Sequence, residues 1–246
     1  MRTSVQLYTV RDALEADLPG TIARVAHAGF GHVEPYDFVA RAGELGRALE
    51  EHSLTAPSGH APLLSADQDE IFAAAARLGI GTVIEPLVPA ERWQEAADIE
   101  ATAEKLNAAA ARGAASGIRV GYHNHAWELE SLIDGTTALE YLAARLDPGV
   151  LLEVDAYWAA VGGQDPAQLV RRLGDRVRFL HIKDGPATTD TMAQVPAGQG
   201  SIPVRAVLSA AGSLEVGVVE FDDYAGDIFE GIAQSLAFLR RGAVHA

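Results

Sequence analysis

The chain contains no cysteine, so it can build neither a disulfide nor a thiolate metal site. No apolar run approaches the length of a membrane span, and the first residues, MRTSVQLYTVRDAL, lack the long apolar stretch of a secretion signal. These absences make a cytoplasmic protein with no membrane partner the expectation. Positive charge is also scarce: 19 Lys and Arg stand against 34 Asp and Glu, a net charge of -15. A nucleic-acid backbone binder needs clustered Lys and Arg, so no nucleic-acid partner is expected. A strongly anionic substrate is less natural too, unless a local basic pocket overcomes the global charge. No low-complexity linker divides the chain, and no period of 20–50 residues repeats. A single domain over 1–246 is therefore expected.

What is present is an alternation of short apolar stretches, rich in Val and Ile, with helical patterns. Strands are predicted at Ser4–Tyr8, His32–Tyr36, Leu54–Ser58 running into Gly59 and His60, Thr82–Leu87, Ile118–His123, Val150–Asp155, Val177–Lys183 and Val216–Phe221. Helices are predicted at Leu18–Ala28, Phe38–His52, Ala66–Leu78, Glu91–Ser116, Thr136–Leu146, Pro166–Gly174, Val204–Ala211 and Asp227–Arg240. Pro19 suits a first helical turn, and Gly29, Gly79 and Gly117 suit helix ends. The pattern predicts an α/β fold, a closed parallel (β/α)8 barrel. An open doubly wound sheet would want a glycine-rich phosphate turn after the first strand, where this chain reads TVRDALEAD.

In such barrels the active site lies at the C-terminal ends of the strands. Here those ends carry Gln6 and Tyr8, Glu34, His60, Glu85, then His123, His125 and Glu128, then Asp155 with Trp158 beyond it, His181 and Lys183, and Glu220. Side chains alternate along a strand, so His123 shares a face with His125, and His181 with Lys183. Glu34, Glu85 and His60 read equally well as solvated or structural residues, and Trp158 as packing over the mouth. Asp155 and Glu220 end strongly apolar strands, which makes chance placement less natural. A strand-end Lys183 needs a partner or a task. Glu153 and Arg119, deeper on their strands, are expected to form a structural ion pair near the barrel bottom.

Glu128, Asp155, His181 and Glu220 together make a hard, mostly oxygen donor set. It suits one divalent ion: Mn²⁺, Co²⁺ or Mg²⁺, with Zn²⁺ as a further candidate. Such an ion polarises a sugar carbonyl and acidifies the neighbouring C–H. Removal of that proton gives an enediolate held by the metal. Reprotonation then gives isomerisation or epimerisation, and loss of a β-substituent gives a lyase reaction. Glu220, Glu128 and His123 are the candidate acids and bases, and Lys183 can stabilise the developing oxyanion. Tyr8, Glu34, His60, His125 and Trp158 are the candidate contacts to a small sugar or sugar derivative.

The motifs QLYTVRDAL (6–14), GFGHVEPYDF (29–38), SGHAPL (58–63), GYHNHAWELE (121–130), LLEVDAYWAAVGG (151–163), RVRFLHIKDG (176–185), GQGSIPVRAVL (198–208) and VVEFDD (218–223) run through nearly the whole chain. Their combination resembles the xylose isomerase-like TIM barrels, the sugar phosphate isomerase/epimerase family, and within it the subgroup with HNHxxE and HIKD patterns. The resemblance implies one divalent metal, with Mn²⁺ foremost, held by Glu128, Asp155, His181 and Glu220. In many members the strand-five ligand is a Glu where this chain has His123; in the HNHxxE subgroup the Glu five residues later, here Glu128, is the better ligand, which would leave His123 free for acid–base work. Epimerases and DNA-repair endonucleases of the superfamily carry a His where this chain has Trp158, a departure that argues against DNA cleavage. The subgroup also includes inosose dehydratases and lyases of 3-keto-glycosides. Isomerase or epimerase activity is therefore the expectation, a keto-sugar lyase its rival. The remaining alternatives are a noncatalytic sugar-binding barrel or the metal-bearing subunit of a hetero-oligomer; a homo-oligomer is equally compatible.

Overall fold

The computed structural model describes residues 1–242. Its framework is eight parallel strands: β1 (Arg2–Gln6), β2 (His32–Glu34), β3 (Ser58–His60), β4 (Thr82–Glu85), β5 (Arg119–His123), β6 (Val150–Asp155), β7 (Val177–Ile182) and β8 (Val216–Val219). They are hydrogen-bonded in the order β2-β1-β8-β7-β6-β5-β4-β3, with helices in the crossovers. The two ends of this ladder meet only through isolated bridges, His32 with Thr55 and Tyr36 with His60. Pro35 lies inside that seam and has no N–H to give, so the pairing is carried by its carbonyl, which accepts from His60 N at 2.8 Å. The arrangement is a (β/α)8 barrel, as the alternation predicts.

The strands are short and apolar because both faces are covered. Outward residues such as Val5, Val33, Val83, Val120, Leu152, Val154 and Leu180 join the main core under the helices. A second, smaller cluster of Ile84, Leu151, Phe179, Val216 and Val218 fills the barrel interior. Between β6 and β7 the register shifts at Leu152/Glu153, so that Glu153 faces Phe179 and Asp155 faces His181. The shift leaves Arg178 turned out to Glu215 and keeps Phe179 and His181 on the inner face.

Element boundaries differ from the sequence reading in a few places. The chain after Gln6 turns at once into a 3₁₀ segment, Leu7–Val10, and a short helix, Arg11–Ala16. The long helix expected over Glu91–Ser116 divides into a 3₁₀ turn at Ala90–Trp93 and a helix at Ala96–Ala114. Trp93 causes the break: it is fully buried and its Nε1 donates to Val88 O at 3.1 Å. Two unforeseen pieces follow strand ends, a turn of helix at Trp127–Glu130 and a helix at Ala156–Val161. The expected Arg119–Glu153 pair does not form. Arg119 donates from both guanidinium nitrogens to Glu215 at 2.8 Å, and Glu153 points into a histidine cluster instead.

Candidate active site at the barrel mouth

Above the apolar layer, alternation turns Glu34, His60, His123, Glu153, Asp155 and His181 towards the barrel axis, all buried. Lys183 and Glu220 follow one step beyond the ends of β7 and β8, and are buried as well. Asp155 is held twice. Its backbone N–H donates to Asn124 Oδ1 at 3.0 Å, and its Oδ1 caps the helix Ala156–Val161 by accepting from Trp158 N at 2.8 Å. That cap leaves Oδ2 for the interior.

Asp155, His181 and Glu220 present donor atoms within 4.8 Å of one another. Asp155 Oδ2, His181 Nδ1 and Glu220 Oε2 are buried, and none has an aligned hydrogen bond. His181 Nδ1 nevertheless lies against Glu220 Oε2. The Lys183 ammonium sits 3.1 Å from Asp155 Oδ2, 2.9 Å from Glu220 Oε2 and 2.9 Å from Asp222 Oδ1. Orphaned buried donors are rare unless something is meant to meet them. Two carboxylate oxygens and an imidazole nitrogen fit a divalent cation.

Directly below, His60, His123, Glu153 and His181 form a second convergent group. Glu153 Oε2 lies 2.6 Å from His60 Nε2, 3.1 Å from His123 Nδ1 and 3.0 Å from His181 Nε2. Glu34 backs it: its Oε1 accepts from Gln6 Nε2 at 2.9 Å and lies 2.8 Å from His181 Nε2, while Ser58 Oγ donates to its Oε2.

Burial and neighbouring charge pull these groups in opposite directions. Burial alone would raise Glu220, but Lys183 and His181 hold it well below the usual carboxylate range. Burial raises Asp155 by more than Lys183 and His181 lower it. The Lys183 ammonium, disfavoured by burial, is carried well above its usual range by Asp155, Asp222 and Glu220. His123 is depressed well below the usual imidazole range by burial and by His181, so it stays neutral. Glu34 is raised by burial and by Glu153.

The mouth opens into a cleft of about 1030 Å³. Its walls include Tyr8, His60, His123, His125, Lys183 and Glu220. The structure thus brings together His123, Lys183, Glu220, Tyr8, His60 and His125 on the cleft, with Asp155 and His181 beneath. Glu34 does not reach the cleft wall; it is fully buried behind His181. Trp158 lies at the edge, with its ring 5.8 Å from Lys183 Nζ.

Glu128 requires a correction. The chain turns after His123, and the Trp127–Glu130 helix swings Glu128 to the outer side of β5, where its Oε1 accepts from Tyr122 Oη at 2.7 Å and its Oε2 from His125 N at 2.8 Å. Both oxygens are spent on local structure, and Glu128 belongs to neither donor group. His123 is the strand-five side chain that faces His181, with ring centroids 4.4 Å apart.

Sequence reasoning passed over two residues. Asp222 anchors Lys183 and lies on the cleft wall; its place two residues past Glu220 in VVEFDD is the available signal. Glu153 sits two residues before Asp155, on the same face, and was assigned to the wrong partner.

These features define a (β/α)8 barrel whose mouth is floored by acids and histidines. The chain belongs to the xylose isomerase-like TIM barrel family, matched over residues 22–242. Among curated proteins it is similar to an inosose dehydratase from Geobacillus kaustophilus (strain HTA426), with 32% identity over 69 residues. That match spans 28% of this chain and only 21% of the relative's length. Among solved structures it is similar to a sugar phosphate isomerase/epimerase from Parabacteroides distasonis ATCC 8503, at TM-score 0.83 and 22% identity, covering 97% of this chain and 95% of that one. It is also similar to AsbF from Bacillus anthracis, described as a probable 3-DHS dehydratase involved in petrobactin synthesis, at TM-score 0.77 and 13% identity, covering 98% and 99%. At these identities the structural likeness carries the fold. Among the described residues no helix is long and apolar enough to cross a membrane.

Proposed function

We propose that this protein is a divalent-metal-dependent enzyme that moves a proton next to the carbonyl of a small sugar or sugar derivative, as an isomerase or epimerase. The observation that carries the reading is the convergence of three buried donor atoms without an aligned hydrogen bond, on Asp155, His181 and Glu220, beside His123 and Lys183 at the base of an open cleft. Those residues would hold the ion, with His123 rather than Glu128 beside them from strand five. Mn²⁺ is our first choice, with Co²⁺, Mg²⁺ and Zn²⁺ as alternatives. When bound, the ion supplies Lewis acidity to a carbonyl oxygen and its neighbouring hydroxyl.

The chain's own groups supply the rest. His123, neutral and on the cleft wall, is suited to take the proton from carbon. The Lys183 ammonium, held by Asp222, offers fixed positive charge to the oxygen on which negative charge develops. Glu220, ionised and lining the cleft, can return or relay the proton. Tyr8 and His125 line the cleft and can contact substrate hydroxyls. The acidic net charge agrees with a small-molecule substrate in place of a nucleic acid, and the cytoplasm is the compartment we propose.

A second reading, a lyase on a keto sugar, is favoured by the inosose dehydratase match and shares the first proton transfer. Incubation in D₂O with keto sugars separates the two. Deuterium incorporated next to the carbonyl without loss of water or aglycone supports isomerisation or epimerisation; loss of water or aglycone supports the lyase. A protein that binds metal yet exchanges no proton with any keto sugar has neither activity.

A further inference from the structure

One carboxylate oxygen meets three imidazoles. Glu153 Oε2 is within 2.6–3.1 Å of His60 Nε2, His123 Nδ1 and His181 Nε2. A carboxylate offers only lone pairs, so each of those nitrogens has reason to carry its proton towards it. Glu34 repeats the demand on His181 Nε2 from the other side, at 2.8 Å. Gln6 Nε2 donates to the same Glu34 oxygen, so Glu34 too is placed as an acceptor. Neutral imidazole carries one N–H, and fixing it on one nitrogen bares the other. For His181 the other nitrogen is Nδ1, turned to Asp155 and to Glu220 Oε2; facing a carboxylate, it too would carry a proton in the metal-free protein, and a bound cation would take that proton's place. For His123 it is Nε2, which has no hydrogen-bond partner among the described residues, on a ring that lines the cleft.

We propose that Glu153 is a positioning residue that sets the tautomers of His123 and His181 together: with Glu34 it holds the His181 proton on Nε2, leaving Nδ1 for the metal, and it holds the His123 proton on Nδ1, leaving Nε2 as the base. Glu153 and the metal donors then form two layers joined through His181. This inference rests on the metal site proposed above. It also explains why a second convergent donor group can lie under the first without being an ion site of its own: its nitrogens are already engaged by Glu153 and Glu34.

The test reads proton positions directly. Wild-type protein with ¹⁵N-histidine, loaded with diamagnetic Zn²⁺, is examined by long-range ¹H–¹⁵N correlation, with rings assigned through single His→Asn variants. The expected result is a proton on Nε2 of His181 and on Nδ1 of His123. A proton on Nδ1 of His181, or on Nε2 of His123, overturns the proposal. Glu153→Met removes the acceptor at similar volume, and Glu153→Gln keeps one acceptor oxygen. In Glu153→Met, His123 should show both tautomers, and calorimetric Zn²⁺ affinity should fall about 10-fold, the low end for losing a carboxylate behind a metal-bound imidazole, because Glu34 still holds His181. Glu153→Gln should retain the wild-type tautomers. An unchanged His123 tautomer in Glu153→Met, equal losses in both variants, or two Zn²⁺ per chain with one lost in Glu153→Met each overturn it. If Glu153→Met does not fold, the wild-type and Glu153→Gln spectra still decide. Failure of wild-type protein to bind Zn²⁺ removes the metal site itself and this inference with it, whereas Zn²⁺ binding with the wrong proton positions removes this inference alone.

Discussion

Lys183 and Glu220 show how much of the site a single side chain controls. Each is buried and ionised with the other's help, Lys183 together with Asp155 and Asp222 and Glu220 together with His181, so replacing either unbalances the charge of the cluster. Glu220→Gln keeps shape and volume; we expect turnover to vanish while circular dichroism is unchanged. His123→Ala should cut the rate more than the metal content, measured by kinetics beside elemental analysis; parallel loss of metal would make His123 a ligand instead of a base. Glu85, at the end of β4, is pushed up to about 7 by burial, against the opposing bonds from the Leu64 and Leu87 amides. A raised acid favours the protonated native state, so its contribution is full below about 4.5 and is lost as pH rises through about 7. Urea unfolding at pH 5 and pH 8 should therefore show a larger loss in wild type than in Glu85→Gln, by roughly 2–3 kcal/mol. At this scale strand alternation made Asp155, His181 and Glu220 legible, since period two alone puts them on the inner face. Glu128 was not legible, because the turn that rotates it onto Tyr122 begins just past the strand. Glu153 was misread because a sequence shows which face a residue takes and not which histidines stand opposite it across a closed barrel.

Elements were easier to find than to delimit. Seven of the eight strands overlap the apolar stretches expected for them, and Val150–Asp155 has the bounds expected, while β3 forms at Ser58–His60, at the far end of the Leu54–Ser58 stretch. The helix at Ala156–Val161 escaped notice because its cap, Asp155, was read only as a ligand, although one oxygen serves each purpose. The long segment after β7, the least regular in sequence, is ordered by one buried side chain. Asp184 Oδ1 accepts from Gly185 N at 2.8 Å and Ile202 N at 3.0 Å, and Oδ2 accepts from Gly198 N at 2.8 Å and Gly200 N at 3.1 Å. Asn could satisfy only half of these donors and would turn its own N–H₂ on the rest. Asp184→Asn should destabilise the protein by about 1–3 kcal/mol in chemical denaturation. The 185–202 segment should become the first site cut in limited proteolysis.

For the molecule as a whole, a ligand that binds only the native state stabilises it by mass action. At 100 times its dissociation constant, a divalent ion at Asp155, His181 and Glu220 adds about 2.7 kcal/mol. Melting temperature should rise with added Mn²⁺ and fall with chelator, and Asp155→Asn should abolish the response. At the opposite end of the barrel, Glu215 is pulled down to about 2 by Arg119, against burial, with Arg178 adding to the pull. A depressed carboxylate contributes above about 4.5 and loses that contribution as pH falls towards 2. Because the group is only partly buried and its arginine partners reach solvent, the effect is at most about 1 kcal/mol and shrinks with salt.

The uneven closure of the cylinder has its own consequence. Seven of its junctions are continuous ladders, while β2 and β3 touch only at single bridges around Pro35. Amides at that junction, His60 N among them, should trade hydrogen for deuterium ahead of the other strands. Because Glu34 and His60 stand on its two lips, each such breath would briefly unclasp the floor beneath the reaction chamber and leave the roof untouched.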